Sequence, residues 1–446
     1  MLGSFVLLGL FPLLAKAGVG WLARRKVYAK WTKPRSFDRN LVVIGAGAGG
    51  LVSAYIAAAV KAKVTLIEGH KMGGDCLNFG CVPSKALIRS AKMARQLKKA
   101  HELGVADAAG RVDFAAVMKR VHGVIADIEP HDSVERYTGL GVEVLQGHAR
   151  ITSPWTVEVT LADGRKQTLT TKSIVIAAGA SPFVPPIPGL KEAGFLTSDT
   201  VWGLTELPRR LVVLGGGPIG SELAQSFARL GSAVTQVEMA PRIMVREDPE
   251  VSELVATSLR TDGVNVLTGH QAVRVEVVDG EKRLIAKRGD ADVVIPFDEL
   301  LCAVGRSPRV TGYGLEELGI PLTPRKTIET NAYLQTLYPN IYAVGDVAGP
   351  FQFTHTAAHQ AWYAAVNALF DPFRRFRVDD RVIPCATFVD PEVARVGLNE
   401  LEAREQGVPC EVTVYGLDDL DRAITDSAAH GFVKVLTVPG KDRILG

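Results

Sequence analysis

The chain carries one unit twice, a strand, a glycine turn, a helix and a second strand ending in an acid, and nothing else restricts its fold as tightly. Leu41-Val42-Val43-Ile44 is a short apolar run of buried-strand type. It leads into Gly45-Ala46-Gly47-Ala48-Gly49-Gly50, an alanine-rich helix expected over 51–60, a strand over 64–67, and Glu68 at that strand's end. The pattern returns as Leu211-Val212-Val213-Leu214, Gly215-Gly216-Gly217-Pro218-Ile219-Gly220, a helix over 221–230, a strand over 234–237, and Glu238. In such a unit Gly45, Gly47 and Gly50, or Gly215, Gly217 and Gly220, let the backbone approach a pyrophosphate at a helix N-terminus. The acid about 20 residues further on takes ribose hydroxyls. Two complete units predict an α/β chain with two dinucleotide-binding domains.

At about 150 residues per domain, 446 residues leave room for a third. The 47% apolar content supplies a large core, and a net charge of +3 is too small to point to nucleic acid as a partner. Five cysteines in a chain of this length fit a reducing compartment rather than a disulfide-stapled secreted protein.

Two of those cysteines stand in Gly73-Gly74-Asp75-Cys76-Leu77-Asn78-Phe79-Gly80-Cys81-Val82-Pro83-Ser84-Lys85. Pro83 suits the first turn of a helix, and helical spacing continues to about Leu97, so Cys81 is expected at a helix N-terminus, whose partial positive charge favours a thiolate. Lys85, one turn on, shares its face and supports the same charge state. Cys76 is expected on the preceding loop. The pair reads as a redox disulfide with one shielded and one exchanging sulfur. A zinc site would need two more ligands, and Cys302, Cys385 and Cys410 lie far along the chain and apart from one another.

The stretch GGDCLNFGCVPSK resembles the active-site segment of the flavin-dependent pyridine nucleotide disulfide oxidoreductases, the group that includes dihydrolipoamide dehydrogenase, glutathione reductase and mercuric reductase. The resemblance runs from about Asn40 to the last residue, with several motifs in the family's order. It implies two Rossmann-like domains, for FAD and NAD, plus a dimerisation domain of α+β type. It also implies that FAD sits at the first glycine turn with contacts from Gly147 and Ala149, from Gly179 at a tight turn, from Asp346 to the ribityl chain, and from Ala358 on the helix that follows. Glu222 matches a partner for Lys85, and Gly305 and Arg306 match contact positions at the exit from the nicotinamide domain. Pro218 stands where relatives often carry a larger gating side chain. Glu238 favours NADH over NADPH, since a carboxylate repels a 2'-phosphate, although Arg242 lies nearby.

The domain expectation is therefore FAD-binding over 40–187 and 310–382, NAD-binding over 188–309, and an incomplete dimerisation domain over 383–446. The run 182–189, with four prolines, is expected to be the crossing. Relatives run some tens of residues further and supply a His-Glu pair at the dimer interface, absent from this sequence. The implied activity passes electrons from NADH through FAD to a Cys76–Cys81 disulfide, with Cys81 facing the flavin and Cys76 attacking a small-molecule or protein-bound disulfide, in a homodimer. Dihydrolipoamide oxidation, metal-ion reduction, and a membrane-tethered NADH dehydrogenase or redox sensor are alternatives.

Residues 1–22 are apolar apart from Lys16 and long enough as a helix to cross a bilayer. Arg24, Arg25, Lys26 and Lys30 follow, with Trp21, Tyr28 and Trp31 at the boundary, which predicts a possible membrane helix, a basic linker over 23–39, and a catalytic part on the cytoplasmic face.

Overall fold

The computed structural model describes residues 26–446 apart from Asp107, Ala109 and Pro372. The expected membrane helix lies outside the described residues, and among these no helix is long and apolar enough to cross a membrane. The chain divides into two compact units. One takes the described residues up to Cys76 with Ile128–Ser181 and Ser307–Val378, and the other takes Leu77–Asp127, Pro182–Arg306 and Asp379–Gly446.

The first unit is built on a sheet whose core strands are parallel. Arg39–Ile44 pairs on one side with Val64–Glu68 and on the other with the end of Lys166–Ile176, so that Val42 lies between Thr65 and Ile174. Glu143–Ser153 and Ile341–Ala343 extend the sheet at its two flanks. The near-continuous apolar character of Leu41 to Ile44 follows from burial on both faces. Leu41 and Val43 pack with Ala54 and Ala57 of the first glycine helix, Ala48–Ala59, and with Ala364 of the helix Thr354–Phe370. Val42 and Ile44 face the opposite way, among Ile151, Val157, Ile174 and Ile176. The expected hairpin around Asp163-Gly164 joins Thr156–Leu161 to Lys166–Ile176 in antiparallel register.

Residues 26–33 are no bare linker. Tyr28 stacks on Trp155 at 4.7 Å between centroids and donates its hydroxyl to Asn340 Oδ1 at 2.6 Å, while Trp31 Nε1 donates to the Tyr338 hydroxyl at 3.0 Å. Both rings pack against the first unit's core rather than serving as interfacial anchors. Aromatic area with satisfied polar tips outweighs the local basic composition.

The second unit repeats the parallel architecture. Its strands run in the order Asn265–Thr268, Ala233–Glu238, Arg210–Leu214, Glu299–Cys302, Leu196–Thr197, all parallel. The second glycine helix, Pro218–Leu230, buries Leu223, Ala224 and Phe227 against Ala86, Leu87 and Ala91 of the cysteine helix, Cys81–Lys99, and against Phe114, Met118 and Val121. The C-terminal segment contributes two antiparallel pairs, Pro384–Thr387 with Val393–Val396 and Glu411–Gly416 with Phe432–Thr437.

Local boundaries shift in a consistent direction. Both glycine helices start inside the glycine turn, at Ala48 and Pro218, and the cysteine helix starts at Cys81 itself, which makes Pro83 its third residue. A proline anywhere in a first turn gives up an N–H that has no partner within the helix, so the earlier start costs nothing there. Cys76 lies in a one-turn helix, Gly74–Asn78, and not on a loop.

Candidate active site

The two glycine turns have the same construction. Gly45 and Gly215 hold φ of +98° and +109°, and a Cβ on either would lie 2.4 Å from a carbonyl oxygen, that of Ala177 or Ala303. The acids at the ends of the second strands brace these turns. Glu68 Oε2 accepts from Ala46 N at 2.6 Å and Oε1 from His70 N at 2.7 Å, and Glu238 repeats this with Gly216 N at 2.6 Å and Ala240 N at 2.7 Å. Each carboxylate thus fixes its glycine turn through two backbone N–H groups and retains acceptor capacity beyond them.

Around the first turn the backbone comes close enough to form a cradle: a Cβ on Gly74 would lie 2.6 Å from Gly47 Cα. Asp346 lies in a tight turn, Gly345–Val347, which Gln360 staples by accepting from Gly345 N and donating to Gly349 O, each at 2.8 Å. Ala358 is half-buried in the second turn of Thr354–Phe370, and Thr356 in its first turn buries a hydroxyl without a hydrogen-bond partner. Gly179, at φ +69°, accepts from Arg309 N at 3.0 Å. These cradles, braced acids and the orphan hydroxyl fit a flavin dinucleotide. Gly147 and Ala149 lie on Glu143–Ser153, and a side chain on Gly147 would meet Thr160 O at 2.4 Å, so strand pairing alone already demands glycine there.

In the second unit Lys85 Nζ donates to Glu222 Oε2 at 3.1 Å, and the other Glu222 oxygen accepts from Phe388 N at 2.8 Å. Glu222 is buried and bridges two elements, which is more than a first-turn acid complementing a helix dipole. Gly305 holds φ +129°, and Arg306 donates to Ser198 Oγ at 3.3 Å. Arg242, which the sequence left as a possible 2'-phosphate ligand, spends its guanidinium on Glu247 O at 2.6 Å, Ser252 Oγ at 2.7 Å and Val245 O at 2.9 Å.

Cys76 and Cys81 are both half-buried, Cys81 as the first residue of its helix. Burial pushes the Cys302 thiol up to about 12 and also raises Cys385, so neither offers a thiolate near neutral pH. Trp202, buried, donates its indole N–H to Phe79 O at 2.9 Å and Ser198 O at 2.7 Å, tying the chain between the two cysteines to the segment that follows the strand Leu196–Thr197. The contacts of Phe388 with Lys85 and of Trp202 with Phe79 were invisible to sequence reasoning, because the partners lie more than a hundred positions apart, and no motif marks Gln360 as the staple of the Asp346 turn.

Residues 39–361 match the pyridine nucleotide-disulphide oxidoreductase model, and residues 383–446 match the dimerisation domain of the same family. A mercuric reductase from Bacillus cereus is 34% identical over 92% of this chain, which spans 64% of that relative's length. A dihydrolipoyl dehydrogenase from Thermus scotoductus is 35% identical over 91% of this chain and 86% of its own. Among solved structures, the HOCl-induced flavoprotein disulfide reductase RclA from Escherichia coli aligns with a TM-score of 0.77 at 29% identity, covering 91% of this chain and 88% of that one. Two glycine turns braced by acids, a cysteine helix between them in sequence and a matching C-terminal region make this chain a member of the pyridine nucleotide-disulphide oxidoreductase family.

Proposed function

We propose that this FAD- and NAD(P)H-dependent oxidoreductase moves an electron pair between NADH and a substrate disulfide or dithiol, with Cys76 and Cys81 as the exchanging sulfurs. The observation that carries the reading is the Lys85–Glu222 pair, which joins the cysteine helix to the nicotinamide-side glycine helix. The flavin, when bound, takes hydride from the nicotinamide and returns an electron pair to a disulfide. In the reducing direction the Cys76–Cys81 bond takes up that pair with one proton from solvent, giving a Cys76 thiol and a Cys81 thiolate. Cys76 then attacks the substrate disulfide, releasing one thiol, and Cys81 displaces the second by re-forming the bond to Cys76. The cysteine helix N-terminus would stabilise Cys81 as thiolate, and Lys85 would offset negative charge on a bound flavin.

Gly45, Gly47, Gly50, Glu68, Gly147, Ala149, Gly179, Asp346 and Ala358 are assigned to FAD. Gly215, Gly217, Gly220, Glu238, Gly305 and Arg306 are assigned to the nicotinamide dinucleotide. NADH is favoured over NADPH, since Glu238 is a carboxylate and the guanidinium of Arg242 is already committed to its own loop. The region 383–446 would pair two copies into a homodimer. The relatives include mercuric reductases and a dihydrolipoyl dehydrogenase, and the substrate is accordingly proposed only as a disulfide or dithiol.

Anaerobic reductive titration of the flavin-loaded protein tests this. The wild type should take up a second electron pair per flavin and expose two new thiols, and Cys81→Ser should take up only one pair. Equal uptake in both proteins would remove the cysteines from the circuit.

A further inference from the structure

Phe388 lies in the turn of the C-terminal segment between Pro384–Thr387 and Val393–Val396, 303 positions from Lys85 in the numbering. Its neighbours Thr387 and Val389 are buried, which turns the Phe388 ring to the opposite side of the chain. There the ring centroid lies 4.2 Å from Lys85 Nζ. The same residue's N–H donates to the Glu222 oxygen that Lys85 does not use. Lys85 therefore has a carboxylate on one side and an aromatic face on another, and Phe388 holds both: the carboxylate by its backbone, the ammonium by its ring.

The docking that places Phe388 is independent of Lys85. Gln225, one turn beyond Glu222, accepts from Asp390 N at 2.8 Å and donates to Asp390 O at 3.1 Å, and Arg229, a further turn on, pairs with the Asp390 carboxylate at 3.0 Å. Three successive side chains on one face of Pro218–Leu230 thus clamp residues 388–390. A segment held at both ends in this way presents its ring in one place.

We infer that Phe388 is a positioning residue for Lys85, a cation–π support from the dimerisation segment that fixes the ammonium against Glu222. This rests on the role proposed above for Lys85. Removing the ring while keeping the backbone N–H leaves Glu222 in place as the remaining restraint on Lys85, so the ammonium spends more time in solvent, and an aromatic replacement restores the second restraint.

Competitive acetylation of the full chain, flavin-loaded and flavin-free, with the extent at each lysine read by mass spectrometry, tests the inference without relying on turnover. Lys119, which is exposed, serves as the internal reference. Phe388→Leu should raise labelling at Lys85 relative to Lys119 by about threefold, the strength of a cation–π contact that stays partly open to solvent, as Lys85 and Phe388 do here, and Phe388→Tyr should stay at the wild-type ratio. An unchanged or lowered ratio in Phe388→Leu overturns the inference, and so does a ratio in Phe388→Tyr equal to that in Phe388→Leu. A thermal melt of each variant identifies any that fails to fold, and Phe388→Met then replaces the leucine variant. The reading of Lys85 itself is tested separately by Lys85→Met: flavin reduction by NADH at the wild-type rate would remove its proposed role while leaving the labelling result intact.

Discussion

Arg229 and Asp262 form a salt bridge at 2.7 Å with almost no exposure of either side chain, 6% and 1%. Arg229 also reaches Asp390, and Gln225 donates to the same Asp262 oxygen at 2.9 Å, so the bridge links the second glycine helix, the helix Pro249–Thr261 and the C-terminal segment. Asp262→Ala leaves the arginine buried with its main counter-charge gone. Breaking a buried pair from one side costs about 3 kcal/mol or more, whereas surface pairs cost little. Equilibrium urea unfolding should show that loss, and Arg165→Ala, which breaks an exposed pair with Asp163, should show almost none.

Glu238 sets a second expectation. Glu238→Gln keeps the size of the side chain and removes the charge, so catalytic efficiency with NADH should fall about tenfold while efficiency with NADPH rises. Steady-state kinetics with both nucleotides checks this through their ratio, which a general loss of stability would not change.

Gly50 has no room for a methyl group: a Cβ there would lie 1.7 Å from Gly45 O. Gly50→Ala must push the first glycine helix away from its turn, and the variant should purify with little flavin while the second unit retains nucleotide binding. Flavin absorbance per mole of protein and nicotinamide-dinucleotide titration together read the two outcomes.

A cluster in the second unit governs behaviour in acid. Lys434 pairs with Glu250, with Glu400 at 2.6 Å and with Asp248 at 3.0 Å. Burial pushes the Asp248 carboxyl up, but the Lys434 ammonium and the N–H groups of Leu401 and Glu400 outweigh it and hold the group below its ordinary 3.8. Burial likewise opposes the charge on Lys434, and its three carboxylate partners raise it above 10.5. The Asp248 contribution is whole above about pH 4 and is lost as pH falls through the lowered value. The Lys434 contribution is whole below about pH 10 and is lost only as pH rises through the raised one. Lys434→Met should therefore lower the melting temperature at neutral pH, and the deficit relative to wild type should shrink as pH falls below the ordinary aspartate value and through the lowered one of Asp248. Melting curves of both proteins from neutral pH into acid check the sign.

The sequence alone determined the parts that depend on local spacing. Two glycine turns with an acid after each second strand can be read in order, because turn conformation and strand burial are dictated by neighbours along the chain. The cysteine pair, its helix and the parallel α/β class were legible for the same reason. Tertiary structure alone decided what depends on distant partners. It gave Tyr28 and Trp31 to the first unit's core, engaged Arg242 with its own loop, and set Gln360 against the Asp346 turn. It also placed Phe388 on Lys85 and Trp202 on the chain between the cysteines. Most of these contacts join residues tens to hundreds of positions apart. No period or motif records them, since their free energy comes from desolvation and geometry that exist only once each unit has packed.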